Sequence, residues 1–269
     1  MTAGVQPVSN HRGHLETQGL SVSFGGHQAV REVSCRFTPG TLTCIVGPNG
    51  AGKTTYFNLI SGQIPSTAGR VLLDGADLTR LPASARAQAG LGRAFQLTNL
   101  FPGLSVRENI RLAVQAARKG PHRRGFNLWS IASDHTAVNE EADRLLESVS
   151  MTPLAASAAA SLSHGNQRKL EVALMMALDP AVYMFDEPTA GMSADDTPVV
   201  LDLIRALRAK GDRTLLLVEH KMDVVRELAD RIIVLHQGAL VADGDPATVM
   251  ASPVVQEAYL GSAADAGVE

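Results

Sequence analysis

The stretch Gly47, Pro48, Asn49, Gly50, Ala51, Gly52, Lys53, Thr54 fits G-x-x-x-x-G-K-[ST], a pattern that builds a phosphate cradle. Its glycines let backbone N–H groups turn inward around phosphate oxygens. The apolar run Thr41 to Val46 before it reads as a short buried strand, and Thr55 to Ser61 after it reads as the first turns of a helix. That helix N-terminus, with Thr55 in its first turn, adds partial positive charge. Lys53 is expected to reach the outer phosphates and Thr54 to hold Mg²⁺. Further on, an apolar run ends in Asp186-Glu187. This places two carboxylates at the C-terminal end of a strand, where open α/β sheets bind ligands. Asp186 is the candidate for the Mg²⁺ shell. Glu187 is the candidate for polarising a water in line with the terminal phosphate. Gln96 and His220 stand at or just beyond the ends of two other predicted strands. Spacing alone leaves both open between contact with phosphate or Mg²⁺ and a structural role.

Positioning these groups requires an α/β core. Strands are predicted at Leu15–Ser23, Val30–Phe37, Thr41–Val46, Arg70–Asp74, Leu91–Phe95, Ala181–Phe185, Thr214–Val218, Arg231–His236 and Leu240–Asp243. Helices are predicted at Pro82–Gln88, Ala194–Lys210 and Lys221–Ala229, with further helices near Pro246–Met250 and Pro253–Leu260. Alternation of strands and helices implies a mainly parallel sheet, with an antiparallel β part at the N-terminal side. Between Gln96 and Ala181 the character changes. Ser105-Val-Arg-Glu108 reads as a capping box opening a helix to about Arg118. Asp134–Ser150 and Asn166–Leu178 carry helical spacing, and Ala155–Ser161 reads as a linker. The division expected is a polar disordered tail at 1–14 and a domain at 15–261. Within that domain, 15–96 and 181–245 form the α/β core and 97–180 an inserted helical part; 246–269 holds terminal helices and a tail.

With 269 residues, 45% hydrophobic and 19% charged, the chain has enough apolar mass for a sizeable core. A formal net charge of −3 gives no broad basic surface, which argues against nucleic acid as a partner. No run approaches the ~18 apolar residues of a membrane-spanning helix. The N-terminus lacks the apolar segment of a secretory signal. Cys35 and Cys44 lie in strand-like runs and are expected as small core residues in a reducing compartment.

Taken in order, the phosphate loop, Gln96, Leu162-Ser-His-Gly165, Asp186-Glu187-Pro-Thr and Val218-Glu-His220 resemble the nucleotide-binding subunit of an ATP-binding-cassette (ABC) transporter over about 15–260. The family's signature, Leu-Ser-Gly-Gly-Gln, is matched here by Leu162, Ser163, His164, Gly165, Asn166 and Gln167. The resemblance implies ATP and Mg²⁺ as ligands, with this stretch binding the γ-phosphate of ATP held by a second ATP-binding subunit in a homo- or heterodimer. It also implies two transmembrane permease subunits, indirect work with a periplasmic solute-binding protein, and a peripheral place on the cytoplasmic face of the inner membrane. Phe24 is similar to the family's adenine-stacking aromatic; a core aromatic at a strand end is the other reading.

Three departures stand out. His164 and Asn166 replace the usual Gly and Gln of the signature, Ser193 stands where Asp is usual, and Lys221 follows His220 where Asp is common. The segment Lys119–Ser133, with Arg118, Arg123, Arg124 and Trp129, reads as a solvated loop or a contact for lipid headgroups or a partner. Ala190-Gly-Met-Ser, Phe95 to Phe101 and the ending Glu257 to Gly261 resemble importers of branched-chain amino acids. Importers of urea and short amides, and the ATPase of lipopolysaccharide extraction, share parts of this pattern. A soluble ATPase of the same fold, acting on ribosomes, DNA or an iron–sulfur scaffold, is disfavoured by the single cassette. A P-loop GTPase or kinase is disfavoured because no Asn-Lys-x-Asp guanine motif is present.

Overall fold

A computed structural model describes residues 13–94, 100–119 and 130–257. The first half runs β1 (Leu15–Phe24), β2 (His27–Phe37), β3 (Leu42–Val46), α1 (Lys53–Ser61), β4 (Ala68–Leu73), β5 (Ala76–Asp77), α2 (Ala83–Gln88) and β6 (Leu91–Ala94). Three longer helices follow: α3 (Val106–Lys119), α4 (Ser130–Ser148) and α5 (His164–Leu178). The chain then runs through β7 (Val182–Asp186), α6 (Thr197–Ala209), β8 (Thr214–Val218), α7 (Met222–Leu228), β9 (Arg231–His236), β10 (Ala239–Gly244) and α8 (Pro246–Met250).

Among the described residues the strands form two sheets. One is antiparallel, in the order β2-β1-β4-β5. The other runs β10-β9-β3-β8-β7-β6 and is parallel except for β10. The mainly parallel core and the N-terminal antiparallel part are therefore as expected from the sequence.

Side chains alternate across each strand, so the parallel sheet serves two cores. Ile45, Val182, Met184, Leu216, Val218 and Ile233 face a cluster with Tyr56, Phe57 and Ile60 of α1 and with β1 and β2. Cys44, Val46, Tyr183, Phe185, Leu215 and Leu217 face the other way, into a cluster with Val106, Ile110, Leu146 and Leu170 of the long helices and Ile204 of α6. Burial on both sides is why these strands read as continuous apolar runs rather than alternating ones. Cys35 and Cys44 are buried free thiols, as core residues should be.

Boundaries moved where polar residues carry the structure. Helix α1 begins at Lys53, because Gly52 takes a left-handed N-cap conformation (φ 94°). Helix α5 begins at His164, with Ser163 as its N-cap. Strand β2 starts at His27, directly after the Gly25-Gly26 turn. Helix α6 starts three residues later than the apolar pattern suggests, at Thr197. The capping box is present: Ser105 N–H donates to Glu108 Oε2 (2.8 Å), and Glu108 N–H donates to Ser105 Oγ (3.2 Å).

The expected tail needs correction at its end. Gly13 and His14 donate their backbone N–H groups to Asp74 Oδ1 at 2.9 and 2.8 Å, and Gly13 O accepts the buried Thr214 hydroxyl at 2.7 Å. The turn at Asp74 (φ 49°) aims its carboxylate at these donors, which fixes the chain across both sheets.

Candidate nucleotide site

The register of the parallel sheet assembles the site. Val218 of β8 pairs with Ile45 of β3 on one side and with Asp186 of β7 on the other. One row of the sheet thus ends just below the phosphate loop, the Asp186-Glu187 pair and His220.

The loop is wedged between two backbones. A Cβ on Gly47 would lie 2.1 Å from Leu235 O, and one on Gly52 would lie 2.5 Å from Ala29 O. Gly238 N–H donates to Ala51 O (3.0 Å), tying the loop to the β9–β10 turn. Pro48 is buried with Gly47, whereas Asn49, Gly50 and Thr54 are exposed and Thr55 is half-buried. Lys53 is buried, and its Nζ donates to Gly47 O (2.7 Å) and Pro48 O (2.8 Å). Burial lowers the Lys53 ammonium from its usual range, and the Glu187 and Asp186 carboxylates pull it back up.

Glu187 takes a left-handed backbone conformation (φ 49°), a strain of roughly 1–3 kcal/mol for a residue other than glycine. Its Oε1 lies 2.7 Å from His220 Nε2. The buried Glu219 next to it organises both sides: Oε1 accepts the Thr189 hydroxyl (2.6 Å) and Oε2 accepts His220 N–H (2.7 Å).

Asp186 is held by Arg93, whose Nη2 donates to its Oδ2 at 2.8 Å, with both side chains nearly buried. The sequence reading assigned no role to Arg93 or Glu219. A cation inside a buried strand was the only available signal for Arg93. Gln96 falls outside the described residues, as do Arg123, Arg124 and Trp129. Phe24 sits at the end of β1 with half its surface exposed (51%), so it is not a core aromatic.

The signature stretch lies at the start of α5. Ser163 and His164 are exposed, whereas Leu162 and Gly165 are buried. Ser163 Oγ accepts Asn166 N–H at 3.4 Å, and Gln167 Nε2 donates to Leu162 O at 3.3 Å. Asp196 binds this helix to the segment after Glu187: Lys169 Nζ donates to its Oδ1 (2.5 Å) and Ser193 Oγ to its Oδ2 (2.9 Å). Both contacts hold the Asp196 carboxyl below its usual range, Lys169 most. Ser193 Oγ also accepts the Asp196 N–H at 3.1 Å.

Thr54 and Asp186 offer oxygen donors only, the set a hard divalent cation takes when phosphate and water supply the rest. These residues fit magnesium. Among the described residues no helix is long and apolar enough to cross a membrane.

A phosphate cradle, a strand-end carboxylate pair and a serine-capped signature helix on this two-sheet core define an ATP-binding cassette, and the chain belongs to the ABC transporter family, whose profile matches residues 30–190. A second profile, described as branched-chain amino acid ATP-binding cassette transporter, matches residues 239–265. The chain is 37% identical to the high-affinity branched-chain amino acid transport ATP-binding protein BraF of Pseudomonas aeruginosa, covering 93% of this chain and 98% of that protein. It is 38% identical to LivG of Escherichia coli, described in the same words, at the same coverage. Among solved structures, a nucleotide-free cassette from an ABC transporter superposes with a TM-score of 0.75 at 26% identity, covering 91% of this chain and 98% of that one. A cassette in its ADP conformation gives the same score and identity. Members of this family are ATPases that power transport.

Proposed function

We propose that this chain is the ATP-hydrolysing subunit of an importer of branched-chain amino acids. It would act on the cytoplasmic face of the inner membrane, with a second ATP-binding subunit, two permease subunits and a periplasmic solute-binding protein. The observation that carries the ATPase chemistry is the 2.7 Å contact between Glu187 Oε1 and His220 Nε2 beyond the C-terminal ends of β7 and β8, with β3 beside them leading into the loop that ends at Lys53. The solute assignment rests on the C-terminal profile and on the named activities of the relatives.

In this reading Phe24 stacks on adenine, and the amides of residues 47–55 surround the phosphates. Lys53 Nζ exchanges a loop carbonyl for a phosphate oxygen. Thr54, Asp186 and Gln96 would hold Mg²⁺, whose chemistry here is to neutralise charge between the outer phosphates. Glu187 polarises the attacking water, and His220 orients Glu187 and meets the γ-phosphate. Ser163 and the α5 N-terminus of a partner subunit close over that phosphate. Contacts to the γ-phosphate differ between open and closed dimers, which is what lets ATP bias the transport cycle.

Glu187→Gln should bind ATP as the parent does and lose about 10²–10⁴ in turnover. Undiminished turnover would remove Glu187 from the role. Uptake of labelled leucine, with labelled urea as the contrasting arm, tests the solute. Restoration of urea uptake alone by this chain would overturn the amino-acid assignment.

A further inference from the structure

Resting on the nucleotide-site reading above, we infer that Arg93 is a positioning residue that clamps the Asp186 carboxylate to the body of the phosphate-loop helix. Arg93 lies in β6, beside β7, and pairs in register with Met184. Its guanidinium is used from both ends. Nη2 donates to Asp186 Oδ2 at 2.8 Å, while Nη1 donates to Asn58 Oδ1 at 2.6 Å and Ser61 Oγ at 2.7 Å, both on α1. The guanidinium carbon stands 5.0 Å from the centre of the Phe57 ring, also on α1. The side chains of Arg93 and Asp186 are 8% and 10% exposed, so neither is free to swing into solvent.

This geometry does more than neutralise a charge. Among the described residues, Arg93 is the only donor to the Asp186 carboxylate. It fixes one oxygen, and the other makes no hydrogen bond among the described residues. The same plane is anchored to the helix whose first turn carries Lys53 and Thr54. The carboxylate at the end of β7 and the hydroxyl at the start of α1 therefore keep a fixed separation. A divalent cation held by Thr54 and Asp186 would then meet a preset site rather than two independent arms. A planar fork with donors on opposite sides is needed; an ammonium cannot reach Asp186 and the Asn58–Ser61 pair together.

The test is equilibrium ATP binding in the Glu187→Gln background, measured once with EDTA and once with Mg²⁺. The readout is the ratio of the two affinities. Arg93→Met and Arg93→Lys should each cut the Mg²⁺ enhancement at least tenfold while leaving Mg²⁺-free affinity within threefold. An undiminished ratio in Arg93→Met overturns the clamp, as does full rescue by Lys, which would reduce Arg93 to a simple counter-charge. A parallel loss with and without Mg²⁺ also overturns it, since that is what general damage to the loop would give. If Arg93→Met does not fold, the Asn58→Ala/Ser61→Ala pair cuts the anchor on α1 and must lower the ratio for the inference to stand. Failure of the Glu187→Gln parent to bind ATP at all would instead sink the nucleotide-site reading.

Discussion

The Glu219 carboxylate accepts the Thr189 hydroxyl at 2.6 Å, so the residue that precedes His220 also holds the segment that follows Glu187. One buried side chain thereby sets the relative position of two groups at the reacting end of the site. Glutamine at 219 keeps an oxygen for His220 N–H and turns an N–H toward the Thr189 oxygen, so the network survives. Glu219→Gln should retain most of the turnover. Glu219→Ala should lose about 10–100-fold in kcat, with ATP affinity little changed, because a small misplacement of reacting groups costs that much. Steady-state kinetics beside equilibrium ATP binding would check it.

Ser163 is exposed at the start of α5, and among the described residues its hydroxyl makes one long hydrogen bond. Ser163→Arg should remove a cap worth roughly 1 kcal/mol and leave binding at the same subunit's phosphate loop intact. Its main effect should be on pairing. Size-exclusion chromatography of Glu187→Gln with ATP should give a dimer, and the same protein carrying Ser163→Arg should give a monomer. An undisturbed dimer would contradict the composite site.

Gly165 sits under Asp196, and a Cβ there would come within 2.5 Å of Asp196 Oδ2. Gly165→Ala should gain about 1 kcal/mol in helix preference while pushing Asp196 off Lys169 and Ser193. Loss of the Lys169–Asp196 pair, with the Lys169 side chain only 9% exposed, outweighs that gain. The melting temperature should therefore fall, and turnover should fall roughly tenfold through the displaced signature segment.

Arg86 has no carboxylate at hydrogen-bond distance among the described residues. Its guanidinium donates to four backbone carbonyls: Leu59 O (2.6 Å), Ile60 O (2.7 Å), Thr79 O (2.8 Å) and Leu81 O (3.0 Å). Two of these belong to the last turn of α1, where carbonyls lack helical partners. Arg86→Met should destabilise the fold by roughly 2–4 kcal/mol, since it strands buried acceptors. Arg86→Lys should recover only part of this. Denaturant unfolding of the three proteins gives the comparison.

Burial raises the Glu171 carboxyl above the usual glutamate value, against the opposing pull of Arg168 (3.1 Å) and His164. The folded state therefore holds this proton more tightly than the unfolded chain does. The stabilising contribution is complete below the ordinary glutamate range, about 4.3, and is lost as pH rises through the raised value. Glu171→Gln removes this dependence. The difference in urea midpoint, variant minus parent, should increase from pH 5 to pH 8, and a decrease would contradict the assignment.

The phosphate loop, the Asp186-Glu187 pair and the capping box at Ser105 were legible because each is written in consecutive or near-consecutive residues. Strand types were legible because burial on both faces makes apolar runs. Arg93 and Glu219 were not, since key partners come from distant parts of the chain: Arg93 and Asp186 are 93 residues apart, and Thr189 and Glu219 are 30 apart. Arg86 was not, since its acceptors are backbone carbonyls, which carry no residue-type signal. The starts of α1 and α5 were set late because apolar periodicity begins inside each helix, after the polar turn that opens it. Gly13 and His14 read as tail because nothing local shows that Asp74 collects their N–H groups.

Among the described residues, the buried faces of α3, α4 and α5 belong to the same apolar cluster as one face of the parallel sheet. Val106, Ile110, Leu146 and Leu170 share one apolar bed with Tyr183 and Phe185 of β7. Heat should therefore release these helices together with the strands, in a single transition. A tilt of these helices would bear on the same bed, and through it on the strand whose last residue is Asp186.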